Sequence, residues 1–156
     1  MFATVVGRGR VLLLLVLAAC PPQAPRDPKH KVTLFVFPAE SADFPKTAKA
    51  ATDAMSSAKV VGVEQTTVAK TSLGDAQLLI ECNEPTPDCY QAVGKSLSAD
   101  RLLFTVIATQ PNKKVKISVT EFDVGARRAW SHAEKVFATD AEASAAMAGL
   151  VGEAAK

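Results

Sequence analysis

Val32-Thr33-Leu34-Phe35-Val36-Phe37, closed by Pro38, is the stretch on which the fold turns. A nearly continuous apolar run of six residues is too short for a buried helix and reads as a central strand covered on both faces. Pro45 then sits well for a first helical turn, and Ala48, Ala51, Met55 and Ala58 recur at helical spacing over residues 45–58. Val60 to Thr66 reads as a second strand. A strand, a helix and a strand in this order predict a right-handed parallel crossover.

Further along the chain, Thr67 to Gln77 fits either a helix or a loop, and Leu78-Leu79-Ile80 is an apolar run short enough for a strand. Thr86-Pro87 starts a helix, with Thr86 as N-cap and Pro87 at the first position. That helix turns Cys89 or Tyr90, Val93 and Leu97 inward and ends by Ala99-Asp100. Leu102 to Ala108 is a second fully apolar strand. After the Pro111-Asn112 turn, Val115, Ile117 and Val119 alternate with Lys114, Lys116 and Ser118, which predicts a strand with one wet face. The apolar phase slips at Glu121-Phe122, where a bulge or a strand end fits.

Gly125 supplies a turn, and residues 127–137 return as a strand. Thr139 and Glu142 form a capping-box pair opening a last helix, with Ala143, Met147, Leu150, Val151 and Ala154 on one face. The expected class is α/β with α+β character. It has a β-α-β crossover, a second helix, a three-stranded antiparallel meander and a C-terminal helix, built on one mixed sheet with packed helices.

The 31 residues before this domain carry a different message. Arg8 and Arg10 precede the apolar run Val11 to Ala19, and Leu17-Ala18-Ala19-Cys20 follows. Nine helical residues span about 14 Å, roughly half a bilayer core. A short apolar segment behind arginines reads as a secretory signal. The cysteine after Leu-Ala-Ala resembles the lipobox of bacterial lipoproteins, in which the thiol is diacylated, cleavage makes it residue one and its amine is commonly acylated too, palmitate being an expected chain. Ordinary signal cleavage with an incidental Cys20 is the competing reading: a cut before Cys20 would put Leu17 where a small residue is wanted, whereas a cut after Cys20 fits.

Residues 1–19 are thus expected as a signal peptide, 20–31 as lipidated Cys20 plus tether, and 32–156 as the globular domain. Pro21 to Lys31 holds four prolines and no large apolar side chain, so it can extend to about 30 Å. In the lipoprotein family an Asp after the lipidated cysteine favours inner-membrane retention. Pro21 there implies the outer membrane, facing the periplasm.

The chain's 156 residues carry a formal net charge of +2. The leader takes Arg8 and Arg10 away with no acid, leaving 16 basic against 16 acidic residues, so the charge argues for no nucleic-acid partner. Cys82 and Cys89 are then an even pair in an oxidising compartment, where a disulfide is the expected state. A metal site would need His30 or His132 as further ligands, and a redox pair usually has two intervening residues. No cofactor or metal is expected.

Gly94-Lys95-Ser96 looks like the end of a phosphate loop, but Cys89 stands where the first glycine belongs. No nucleophile elbow, zinc-helix motif or dinucleotide fingerprint occurs, and the chain is not expected to be an enzyme. Glu81, Glu84 and Asp88 read as a polar loop around the cysteines. His132 reads as solvent-facing or cross-strand paired. Arg127, Arg128 and Trp130 form a candidate partner face, with a Trp packed under the last helix as the alternative.

Over residues 32–156 the layout resembles the TolB amino-terminal-like group of envelope domains, found in TolB, in LpoB-type activators and, modified, in CsgG. Three places carry the resemblance: Phe37-Pro38 after the first strand, Gly94-Lys95-Ser96-Leu97-Ser98-Ala99-Asp100 running into Leu102-Leu103-Phe104, and Phe122-Asp123-Val124 closing a strand. The Cys82 and Cys89 spacing also resembles a lipoprotein subgroup. The order Phe37-Pro38 is inverted relative to the family, Thr105 replaces a common glycine and the later Thr-Gly is missing.

The resemblance implies no catalytic residue. It fits a membrane-anchored lipoprotein that binds an envelope protein as adaptor or assembly factor. The alternatives are a regulator of a cell-wall synthase and a small-molecule or glycan binder.

Overall fold

A computed structural model describes residues 30–82 and 84–156. The leader, Cys20 and the tether up to residue 29 lie outside the described residues. Five strands form one sheet in the order β2-β1-β3-β4-β5. They are β1 (Thr33–Val36), β2 (Gln65–Val68), β3 (Arg101–Thr109), β4 (Val115–Asp123) and β5 (Arg128–Phe137). β1 pairs in parallel with β2 and β3, while β3, β4 and β5 form the antiparallel meander. The helices are α1 (Pro45–Ser57), α2 (Leu73–Leu79), α3 (Pro87–Ser96) and α4 (Asp140–Ala154).

β1 lies inside the sheet and its side chains alternate between two cores. Leu34 and Val36 join Leu103, Ile117, Val119 and the inner faces of α1 and α4. Phe37 joins Leu102, Phe104, Phe122 and Val93 of α3, with Phe35 packed against them. A strand apolar on both faces needs cover on both, and the helices divide accordingly.

The expected last helix forms as read, with all five inward residues buried. Thr139 Oγ1 accepts from the Glu142 N–H at 3.2 Å, and the Glu142 carboxylate accepts from the Ala138 N–H at 3.1 Å. Thr86 likewise caps α3 through the Cys89 N–H. α1 has no such local cap, since Phe44 occupies the position. Its Thr47 N–H donates instead to Asp140 at 3.2 Å, so the first residue of α4 caps α1 from 93 positions away.

Two expectations need correction. The second strand runs Gln65–Val68 and not from Val60 to Thr66. Gly62, at φ 75°, turns the chain, while Val60 is buried as a plug beside Met55 and Ala51. Leu78-Leu79-Ile80 is not a strand, because Leu78 and Leu79 end α2 and Ile80 caps it. Ser72 Oγ accepts from the Asp75 N–H at 3.1 Å, and this cap starts a helix in a stretch that periodicity left open.

The motif around Gly94 and Asp100 has a structural office. A Cβ on Gly94 would stand 2.3 Å from Val124 Cγ2, so only glycine lets α3 close on the end of β4. Asp100 Oδ2 accepts from the Thr33 N–H at 2.8 Å and from its hydroxyl at 3.0 Å, while the Asp100 carbonyl accepts from Val124 at 2.9 Å. One residue thus ties β1, β3 and β4 together.

Gly94→Ala should destabilise the fold by about 1–3 kcal/mol, because Val124 must move to admit the methyl group. Urea unfolding of both proteins measures this, and an unchanged midpoint would refute the close approach.

Candidate functional site

Cys82 and Cys89 form a disulfide with Cα atoms 5.5 Å apart. It fastens the chain just after α2 to the first turn of α3. The two sulfurs therefore bond each other, and among the described residues no three His, Cys, Asp or Glu side chains gather as metal ligands. Gln77 of α2 donates to Cys89 Sγ at 3.2 Å, so the bridge and the short helix brace one another.

α2 is an unusual amphipath. Leu73 and Ala76, with Ile80 just beyond the helix, pack against the second core, but no residue of α2 is fully buried. Its two C-terminal leucines turn outward, Leu78 at 65 % exposure and Leu79 at 79 %. Side chains of this size standing in water on a braced helix leave apolar surface that a partner would cover.

Beside α2, a cleft of about 250 Å³ opens at the carboxyl end of β1, lined among others by Pro38, Glu40, Gln77, Tyr90, Phe104 and Val106. Crevices at this end of a parallel pair are where open α/β sheets commonly receive ligands. Tyr90 stacks on Phe104 at 4.8 Å and meets Phe122 edge-on at 5.5 Å between centroids. Burial pushes the Tyr90 phenol up.

The candidate face of Arg127, Arg128 and Trp130 is not one patch. Arg127 sits in the β4–β5 turn and pairs with Asp88 of α3 at 2.5 Å. Arg128 opens β5 opposite Asp123 and is exposed. Trp130, 50 % exposed, covers the Arg101 guanidinium at 4.5 Å on the other side of the sheet. Half-exposed Trp130 thus stacks on Arg101, and it is the neighbouring Ser131 whose hydroxyl donates to the Ala154 carbonyl at the end of α4.

The reason is the bulge. It occurs at Glu121/Phe122, where the sequence phase slips, yet the extra residue lies on the partner strand: Glu121 pairs with Ser131 and Phe122 with Ala129. Trp130 is left between them and swings toward Arg101.

Beneath it lies an ion pair that sequence reasoning missed. Arg101 Nη1 donates to Glu121 Oε1 at 2.7 Å, and also to the Val61 carbonyl at 3.1 Å, with Glu121 fully buried. Glu121 keeps the inward phase of Val115, Ile117 and Val119, and that in-phase carboxylate was the available signal. Among the described residues Arg101 Nε and Glu121 Oε2 have no hydrogen-bond partner. Removal from water pushes the Glu121 carboxyl up, and the Arg101 guanidinium pulls against that shift.

His132 is paired across the strands, its Nδ1 2.9 Å from Thr120 Oγ1. Lys116 and Ser118 both hold the Glu134 carboxylate, at 2.9 Å and 2.8 Å, and keep it below the usual carboxylate range. This is the expected wet face of β4. Glu81 and Glu84 stay exposed around the disulfide loop.

No known family profile matches the chain, and no curated protein does. Among solved structures the chain is similar to the PelC dodecamer from Paraburkholderia phytofirmans, at 12 % identity and TM-score 0.39 over 80 % of this chain and 87 % of that one. It is also similar to the hypothetical protein CT253 from Chlamydia trachomatis, at 13 % identity and TM-score 0.34 over 69 % and 71 %. At these scores neither bears on function.

Reducing the disulfide, or replacing both cysteines by serine, should cost about 2–3 kcal/mol, the closure entropy of a loop this short. Thermal unfolding with and without reductant reads it.

Arg101→Met alone strands a buried carboxylate and should cost about 3–5 kcal/mol at neutral pH, whereas Arg101→Met with Glu121→Leu should recover most of that. The folded Glu121 holds its proton more tightly than the unfolded one. Its stability penalty is therefore relieved as pH falls through the raised value, and the single variant's deficit should shrink in acid. Urea titrations at neutral and acidic pH check both statements.

Proposed function

We propose that this protein is a lipoprotein of the bacterial cell envelope, anchored through acylated Cys20, whose domain binds an envelope protein as a non-catalytic adaptor or assembly factor. The observation that carries the binding half of this reading is the outward pair Leu78 and Leu79 on disulfide-braced α2, beside the Tyr90 cleft. Burying such a pair against a partner is favourable by up to about 1.5–3 kcal/mol for each side chain. The anchoring half is supported by the Arg8 to Cys20 segment, and the proline tether gives the domain reach.

The resemblance to TolB amino-terminal-like domains belongs to the same proposal. The residues that carry it, Gly94 and Asp100, hold packing and strand-tying positions, so they support a likeness of scaffold more than of binding site. A cell-wall synthase is one partner within the tether's reach. A small-molecule role has one observation in its favour, the cleft lined by Tyr90 at the carboxyl end of β1.

In-cell crosslinking with mass spectrometry on three proteins tests the proposal: wild type, Cys20→Ala and Leu78→Asp with Leu79→Asp. Cys20→Ala should leave the membrane fraction. The leucine variant should stay membrane-bound and folded while its partner crosslink falls about tenfold or more. A partner recovered equally by the leucine variant sinks the α2 surface, and membrane retention of Cys20→Ala sinks the lipid anchor.

A further inference from the structure

We infer that two copies of this chain associate through the outer edge of β2, in antiparallel register about a two-fold axis at Thr67. Among the described residues β2 is the last strand of the sheet and pairs with β1 alone. The Gln65 and Ala69 N–H groups donate inward, to the carbonyls of Val32 at 3.2 Å and Val36 at 2.8 Å. The Glu64 N–H, just before the strand, shares the Val32 carbonyl at 3.0 Å, so Glu64 contributes its side chain and not its N–H to the outer edge. Strand alternation then turns the N–H and C=O of Thr66 and Val68 outward.

An edge of this kind is a pairing template unless something blunts it. The opposite edge, β5, is blunted by Arg128, His132, Glu134 and Lys135 and by the bulge at Trp130. β2 has none of these devices. Its four residues, Gln65-Thr66-Thr67-Val68, hold no charge and no proline, and three of them are β-branched. Val68 is 45 % exposed there.

The flanking charges select the occupant. Antiparallel exchange of hydrogen bonds requires outward residues to face outward residues, so a symmetric pair can be centred on Thr66, Thr67 or Val68 but not between them. Centring on Thr66 sets Glu64 against Val68 of the second copy. Centring on Val68 sets Lys70 against Thr66. Centring on Thr67 sets Glu64 opposite Lys70, twice by symmetry, and both residues are exposed.

In that register Thr66 and Val68 exchange four backbone hydrogen bonds across the axis. The two sheets become one of ten strands and the exposed Val68 gains a neighbour in Thr66 of the second copy. A two-fold contact closes on itself, whereas pairing β2 of one copy with β5 of the next would not. The interface is small and belongs to the reversible class.

The full-length chain tests this by cysteine trapping and charge exchange. Thr67 would face its own copy at a non-hydrogen-bonded position, with Cα atoms about 4.5 Å apart, inside disulfide range. Thr67→Cys should give a reducible species of twice the mass, its 67–67 link identified by mass spectrometry. Gln65→Cys, more exposed but held far from its copy, should not. Glu64→Lys and Lys70→Glu should each weaken self-association roughly fivefold or more in sedimentation velocity, and mixing the two variants should restore it. An unlinked Thr67→Cys, equal linking by Gln65→Cys, or charge variants that associate like wild type would overturn the inference.

Discussion

β1 has apolar side chains on both faces, and the rest of the molecule arranges itself to satisfy that one strand. Leu34 and Val36 demand cover on one side, Phe35 and Phe37 on the other. Four residues cannot supply this themselves, so the chain crosses above the sheet through α1 and below it through α2 and α3. α4 then completes the first layer over β4 and β5. The two cores are separate clusters divided by the sheet, and β1 and β3 contribute to both.

Polar side chains hold the sheet where apolar packing has no direction. Asp100 ties the start of β1 to the start of β3 and the end of β4. Asp123 Oδ1 accepts from the Ala126 N–H at 2.7 Å and shapes the turn into β5. Next to them the Arg101–Glu121 pair is buried at the same end, roofed by Trp130. A buried ion pair of this kind contributes little net stability but punishes any wrong register, because a slip strands one of its charges. The Trp130 bulge, which unmatches β5 from β4 by one residue, gives the pair its cover.

Much of this architecture was legible because the signals were local. Thr139 with Glu142, Thr86 with Pro87, and the alternation from Val115 to Val119 each encode their element within a few residues. β2 was placed wrongly because its four residues carry little burial of their own; pairing with β1 sets its position, and Val60 is apolar for a loop's reason. α2 was left open because no residue of it is fully buried and Leu78 and Leu79 face water. Of the candidate site, the disulfide was legible from the even pair left once Cys20 is set aside and from the oxidising compartment expected for the chain. The scattering of Arg127 and Trp130 to opposite sides of the sheet was not, since the extra residue of a bulge can fall on either strand.

The sequence by itself determined the α/β class, the antiparallel meander, the inward face of α4 and the expectation that Cys82 bonds Cys89. Those follow from periodicity, capping chemistry and parity, which act over short distances along the chain. Tertiary structure alone decided that Asp140 caps α1, that Arg101 meets Glu121, that Gly94 must lack a side chain, and that the edge of β2 stays open. Each is a contact, or a vacancy for one, between segments far apart in sequence. Its energy depends on where the sheet brings them, and no local pattern records that.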